Sequence, residues 1–129
     1  MKFLLINTSA FDVISLSLFD ETTRDDIRIV AHNRELLQSI DTFFTEHGIA
    51  NTEIGGVMVV VGEGTFTSTR LAVTVANTFA YVQKIPLLPI SKEQTNDPQA
   101  LLPLLLEQPV GRYISATYSA PPSINMTKK

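Results

Sequence analysis

The fold is decided by residues 57–80, which read VMVVVGEGTFTSTRLAVTVANTFA. The first five are apolar and mostly β-branched, which is typical of a strand buried on both faces. Gly62 and Gly64 interrupt this run, and the spacing of apolar residues then becomes helical. We therefore predict a strand over residues 53–61, a glycine turn, and a helix over residues 68–84.

Three strands are predicted upstream of this unit. Residues 3–9 form a continuous apolar run, residues 12–20 alternate apolar and polar positions, and residues 26–31 alternate around Arg28. Residues 9–12 are few enough to join the first two strands as a hairpin.

A helix is predicted to follow the third strand. Its apolar residues form one stripe, with Asn33 as the N-cap and Gly48 as the C-terminal stop. The stripe consists of Leu36, Leu37, Ile40, Phe43 and Phe44.

The rest of the chain predicts smaller elements. Residues 86–91 form a short strand that Pro89 places at an edge or an end of the sheet. A leucine-rich helix follows, which starts or kinks at Pro103. Residues 111–118 predict a last strand, and residues 119–129 an irregular tail. We predict one α/β domain over residues 1–118, with a mixed sheet, an antiparallel N-terminal meander and helices packed on it.

Composition excludes several classes of protein. The 129 residues carry a net charge of −3, and their basic residues are scattered, which disfavours direct binding of nucleic acid. There is no cysteine, which fits a reducing cytoplasm. No apolar run approaches the ~20 residues of a membrane span.

The glycine turn is a weak candidate for binding an anion, through Gly62, Gly64 and Thr65 at the start of a helix. It lacks the lysine and spacing of a Walker loop, and Glu63 would repel an anion. Asn7, at the end of the first strand, is neutral and so a poor anchor for Mg²⁺. A structural role for the glycines is the favoured interpretation.

No active site assembles from the remaining residues. His32 is followed one turn later by Leu36, which removes a helical metal pair, and His47 suits the end of a helix. No serine stands in the setting of an activated nucleophile. We predict no catalytic residue, no metal and no cofactor.

A ridge of small residues stands out in the predicted helix of residues 68–84. Ala72, Ala76 and Ala80 recur every fourth residue, and no charge lies between Arg70 and Lys84. The ridge could pack on the sheet of its own domain or allow close approach of a partner helix. A face exposed to water usually carries more charge, which favours a partner, whereas small side chains also suit packing on the sheet. Both interpretations therefore stay open.

The central block, VVVGEGTFTSTRLA at residues 59–72, resembles the G-P-G-S-F-T-G-x-R-I-G signature of the bacterial TsaB (YeaZ) family. Further matches follow in the same order as in that family. They are the opening FLLINTS at residues 3–9, IPLLPIS at residues 85–91 and YSAPPSI at residues 118–124.

The resemblance implies a ribonuclease-H-like lobe of the actin-like ATPase (ASKHA) superfamily and a non-catalytic subunit. Such a subunit would pair with the catalytic TsaD, and with the ATPase TsaE, in making N6-threonylcarbamoyladenosine in tRNA. It would pair with TsaD, or with a second copy of itself, through its first two helices. The expected interface residues are Leu36, Ile40, Phe43, Arg70, Ala72, Val73, Ala76, Asn77 and Ala80.

Departures from the family pattern weaken any nucleotide site further. Asn7 replaces aspartate, and Glu63 replaces proline. Only residues 92–111 occupy the place of the family's second lobe, so the chain resembles a miniature form. A small ASKHA-type nucleotide-binding ATPase or kinase, and a homodimeric protein outside the pathway, remain the alternatives.

Overall fold

The computed structural model describes residues 1–32, 35–62 and 66–111, and these form one five-stranded sheet with helices on both faces. In chain order the elements are β1 (Lys2–Asn7), β2 (Val13–Phe19), β3 (Arg24–Val30), α1 (Leu36–Glu46), β4 (Ile54–Val60), α2 (Phe66–Gln83), β5 (Leu87–Ile90) and α3 (Leu102–Leu106).

The sheet is mixed, as predicted, with the strand order β3-β2-β1-β4-β5. The first three strands form an antiparallel meander, whereas β4 runs parallel to β1 and β5 parallel to β4. β4 lies between β1 and β5, and all of its residues are buried, so both of its faces carry apolar or small side chains. Pro89 lies in β5, the edge strand, where the missing N–H breaks no pairing on the outer side.

Each face of the sheet is covered by different helices. The face that carries Leu4, Ile6 and Leu16 packs against α1 and α2. The opposite face, which carries Phe3 and Leu5, packs against the short α3. None of the described helices is both long and apolar enough to span a membrane.

The apolar stripe predicted for the first helix is wrong at one position. Leu36, Ile40, Phe43 and Phe44 are buried, but Leu37 is 67% exposed. At about 100° per residue, Leu37 lies just outside the arc that holds Leu36, Ile40, Phe43 and Phe44, so its side chain points past the edge of the buried face. Ser39 takes the vacant place on that face and donates a hydrogen bond to the carbonyl oxygen of Glu35.

The helix ends agree with the sequence only in part, because the N-cap residue of α1 is Glu35 in place of Asn33 and α2 begins at Phe66, two residues before the predicted start. Gly48 has a φ of +64°, as expected of the glycine that stops α1. A 3₁₀ helix over Pro98–Leu101 runs into α3, and Pro103 lies in the first turn of α3. The predicted N-cap Asn33, the predicted strand at residues 112–118 and the tail at residues 119–129 lie outside the described residues.

Close approach of α3 to the sheet depends on Gly56 in β4. A Cβ atom there would lie 2.8 Å from Leu105 Cδ2. We expect Gly56→Ala to destabilise the domain by about 1–3 kcal/mol, because the Leu105 side chain, or α3 with it, must move out of its packed position. Urea unfolding measures the loss. The same substitution in a Leu105→Ala background should cost clearly less, and equal costs in both backgrounds would contradict the contact.

The β2–β3 turn is held by Asp20. Its Oδ1 accepts hydrogen bonds from the backbone N–H groups of Thr22 and Thr23, at 2.9 and 2.8 Å. Its Oδ2 accepts one from Lys2 Nζ at 3.1 Å, and Gln99 Nε2 donates to the carbonyl oxygen of Asp20. The backbone hydrogen bonds of Thr22 and Thr23, followed by the side chains of Thr23 and Lys2, hold the pKa of Asp20 well below its usual value.

This depressed pKa predicts a loss of stability in acid. The stabilisation that the ionised Asp20 carboxylate gives the folded state is complete above its unfolded-state pKa of about 3.9. It declines as the pH falls from there towards the lower pKa of Asp20 in the folded state. We expect Asp20→Asn to flatten the dependence of the urea midpoint on pH between about pH 6 and about pH 3. Asp41→Asn, at an exposed position of α1 outside this turn, is the matched control.

Candidate functional site

The end of β1 is tied directly to the start of α2. Thr8 Oγ1 donates to the carbonyl oxygen of Ser68 at 3.2 Å, and Ser68 Oγ donates to that of Thr8 at 3.3 Å. Both residues are buried, so the two hydrogen bonds satisfy polar groups that water cannot reach. The sequence block that suggested an anion loop therefore has a structural role at this point.

The glycine turn itself is only partly described. Gly62 has a φ of +84°, and no atom of the described residues beyond its chain neighbours lies within 4 Å of the position of a Cβ. Glycine is thus required there by the backbone conformation rather than by close packing. The other two candidates for an anion loop, Gly64 and Thr65, lie outside the described residues.

Asn7 uses its side-chain oxygen locally. Its Oδ1 accepts hydrogen bonds from the backbone N–H and the hydroxyl of Ser9, at 3.0 and 2.6 Å. This Asx-type turn occupies the atom that a metal ion would need. Within residues 1–32, 35–62 and 66–111, no group of three or more His, Asp or Glu side chains could hold a metal ion.

The two histidines make separate contacts. His32 Nδ1 lies 3.5 Å from Asp12 Oδ1 at the tip of the β1–β2 hairpin. His47 Nδ1 lies 3.0 Å from the carbonyl oxygen of Phe43, and its ring packs edge-on against the Phe43 ring. Each contact suits a structural role, and the structure does not bring the two histidines into one site.

The residues predicted to contact a partner lie mainly inside the domain. Only the side chain of Arg70 is exposed, because α2 turns its alanine ridge onto the sheet. The ridge is therefore a packing surface of this domain, and its small side chains let α2 lie close to the strands. The eight buried residues are Leu36, Ile40, Phe43, Ala72, Val73, Ala76, Asn77 and Ala80.

Next to this ridge, another part of the α2 surface forms a groove with α1. We call it the α1–α2 groove; its volume is about 330 Å³, and its lining is mainly apolar. Leu37 of α1 and Val82 of α2 are 67% and 62% exposed at its walls. Its lining residues are Leu37, Asn51, Leu71, Thr74, Val75, Thr78, Phe79, Val82 and Gln83.

Sequence reasoning assigned the accessible surface to the wrong stripe of α2. The accessible positions are Thr74, Thr78 and Val82, which recur every fourth residue in a segment without charge, whereas Val75 is buried in the core. A helix that is apolar on two sides does not reveal by periodicity which side meets the sheet.

The strand order, with an antiparallel meander followed by parallel strands that alternate with helices, defines a ribonuclease-H-like fold. The sequence model of the family TsaD, tRNA N6-adenosine threonylcarbamoyltransferase, matches residues 27–119. The chain belongs to this family.

Solved structures confirm the resemblance to YeaZ. YeaZ from Pseudomonas aeruginosa is 26% identical in sequence, with a TM-score of 0.64 over 70% of this chain. The same values hold for a second structure, an uncharacterized protein from that organism with similarity to peptidase YEAZ. This chain covers 43% of the length of either one. No protein of curated function matches the sequence.

Proposed function

We propose that this chain is a non-catalytic partner subunit in the synthesis of N6-threonylcarbamoyladenosine in tRNA. It would bind a TsaD-like catalytic subunit and hold it in an active arrangement. The family match and the similarity to YeaZ support this role. The observation that carries it is the α1–α2 groove, an uncharged and mainly apolar surface.

Helix packing is the proposed mode of binding. The exposed positions of α2 that line the groove follow one stripe, and Leu37 extends that stripe onto α1. A partner helix seated there would bury these side chains and remove apolar surface from water. The proposed pairing therefore uses the two helices that were expected from the sequence. It uses their accessible side chains and not the alanine ridge. A TsaE-like ATPase would join such a pair as a further component.

The direct test is copurification with the TsaD-type protein of the same organism. Val82→Arg should weaken binding about 30-fold or more, because a charge would enter an apolar wall of the contact. Tyr81→Arg is the matched control, since Tyr81 is 75% exposed on the same turn of α2 but does not line the groove. Unfolding curves of both variants should overlay that of the parent.

The outcomes separate this role from its rivals. Undiminished binding by a folded Val82→Arg variant would remove the groove as the contact. A stable homodimer that Val82→Arg dissociates, with no affinity for TsaD, would instead indicate a protein that has left the pathway.

A further inference from the structure

A second candidate site lies on the other face of the sheet, where Ser15 of β2 and Arg28 of β3 are less buried than the Phe19 end of β2 that packs with α3. A cavity of about 300 Å³ opens there, lined mostly by polar side chains. We call it the β-face groove. Its lining residues are Leu5, Asn7, Ser15, Leu16, Ser17, Arg24, Asp26, Ile27, Arg28 and Thr95.

Strand register places three hydrogen-bond donors in one row across this groove. Asn7 of β1 pairs with Ser15 of β2, and Ser15 pairs with Arg28 of β3. Directly paired residues have Cβ atoms about 4.5–5.5 Å apart and project from the same face. The side chains of Asn7, Ser15 and Arg28 therefore project in one row from this face and line the same groove.

These donors are not used by the fold. Asn7 makes its side-chain hydrogen bonds through Oδ1, which leaves its amide nitrogen without a partner among the described residues. Within the same part of the chain, Ser15 Oγ and the Arg28 guanidinium have no hydrogen-bond or ion-pair partner. A cavity lined by unused donors beside one unpaired cation suits an acceptor that carries negative charge.

The neighbouring carboxylate does not cancel this preference. Asp26 Oδ1 is held by Arg24 Nε at 2.9 Å and accepts a hydrogen bond from Ser17 Oγ. Arg24 also donates from Nη1 to the carbonyl oxygen of Thr95, which fixes one wall of the groove. Because Arg24 balances Asp26, the positive charge of Arg28 is left over within the groove.

We propose that the β-face groove binds a small oxyanion, a phosphoryl or carboxylate group, through Arg28, Ser15 and Asn7. Arg28 would supply a bidentate contact and the charge, while Ser15 and Asn7 would donate to the remaining oxygens. The site lies on the sheet face away from the α1–α2 groove, so it does not depend on pairing with a partner.

The test is a titration of the ¹⁵N-labelled full chain near neutral pH, followed by amide chemical shifts at constant ionic strength. One arm uses inorganic phosphate and the other uses acetate. We expect saturable shifts centred on Asn7, Ser15 and Arg28 in at least one arm. Response to phosphate alone indicates a phosphoryl ligand, response to acetate alone a carboxylate, and response to both the shared oxyanion chemistry.

Variants decide whether the row binds the ion. Arg28→Gln should raise the dissociation constant about tenfold or more, since a charge-assisted hydrogen bond is lost, and Ser15→Ala should raise it less. Lys84→Gln, at the far end of α2, should leave it unchanged. The absence of saturable shifts in both arms would overturn the proposal, as would shifts that persist unchanged in a folded Arg28→Gln variant.

Discussion

Ala76→Arg is expected to destabilise the whole domain severely, and not only to weaken binding of a partner. Ala76 is fully buried in the core that α2 forms with the sheet. The substitution adds a long side chain to a packed site and places a charge where water cannot solvate it. We expect Ala76→Arg to cost about 4 kcal/mol or more, a large part of the 5–15 kcal/mol typical of a domain.

Thr78→Arg is the matched control for this substitution. Thr78 is exposed on the same helix and lines the α1–α2 groove. We expect its free energy of unfolding to stay within about 0.5 kcal/mol of the parent value. Circular dichroism and urea unfolding would compare the two variants. A cooperative transition for Ala76→Arg within about 1 kcal/mol of the parent would contradict the placement of the alanine ridge.

The comparison also bears on binding experiments. A variant that is unfolded fails to bind any partner, so loss of binding by Ala76→Arg alone says nothing about an interface. Thr78→Arg and Val82→Arg change the accessible stripe of the same helix and leave its buried stripe intact. Binding measured with these variants therefore reports on the surface itself.

The strands were the most predictable part of the fold. An apolar run at residues 57–61 and alternation around Arg28 are local patterns, and each reflects the burial of one or both strand faces. Pro89 likewise placed β5 at an edge of the sheet. These features follow from neighbouring residues along the chain, so sequence alone was sufficient to place them.

Helix orientation was less predictable, because it depends on contacts between distant segments. Both stripes of α2 are apolar, and the sheet selects the smaller side chains because they permit closer packing. The β-face groove depends on the same kind of information. Arg24 contacts Thr95, which lies 71 residues away in the chain, and no local sequence pattern predicts that contact.

Phe43→Ala should cause the second large loss of stability. Phe43 is 1% exposed, and its ring packs against His47 at the end of α1. Truncation removes buried apolar surface and leaves a cavity that the surrounding side chains fill only in part. We expect a cost of about 3–5 kcal/mol, measured as a lower urea midpoint with an unchanged slope.

Phe11 offers a control of the same residue type, because it is 81% exposed at the β1–β2 hairpin. Phe11→Ala should change the free energy of unfolding by no more than about 0.5 kcal/mol. Similar losses in both variants would mean that α1 does not anchor the core through Phe43. Phe43 would then return as a candidate for partner contact, whereas a large difference leaves Leu37 as the apolar residue that α1 presents to the groove.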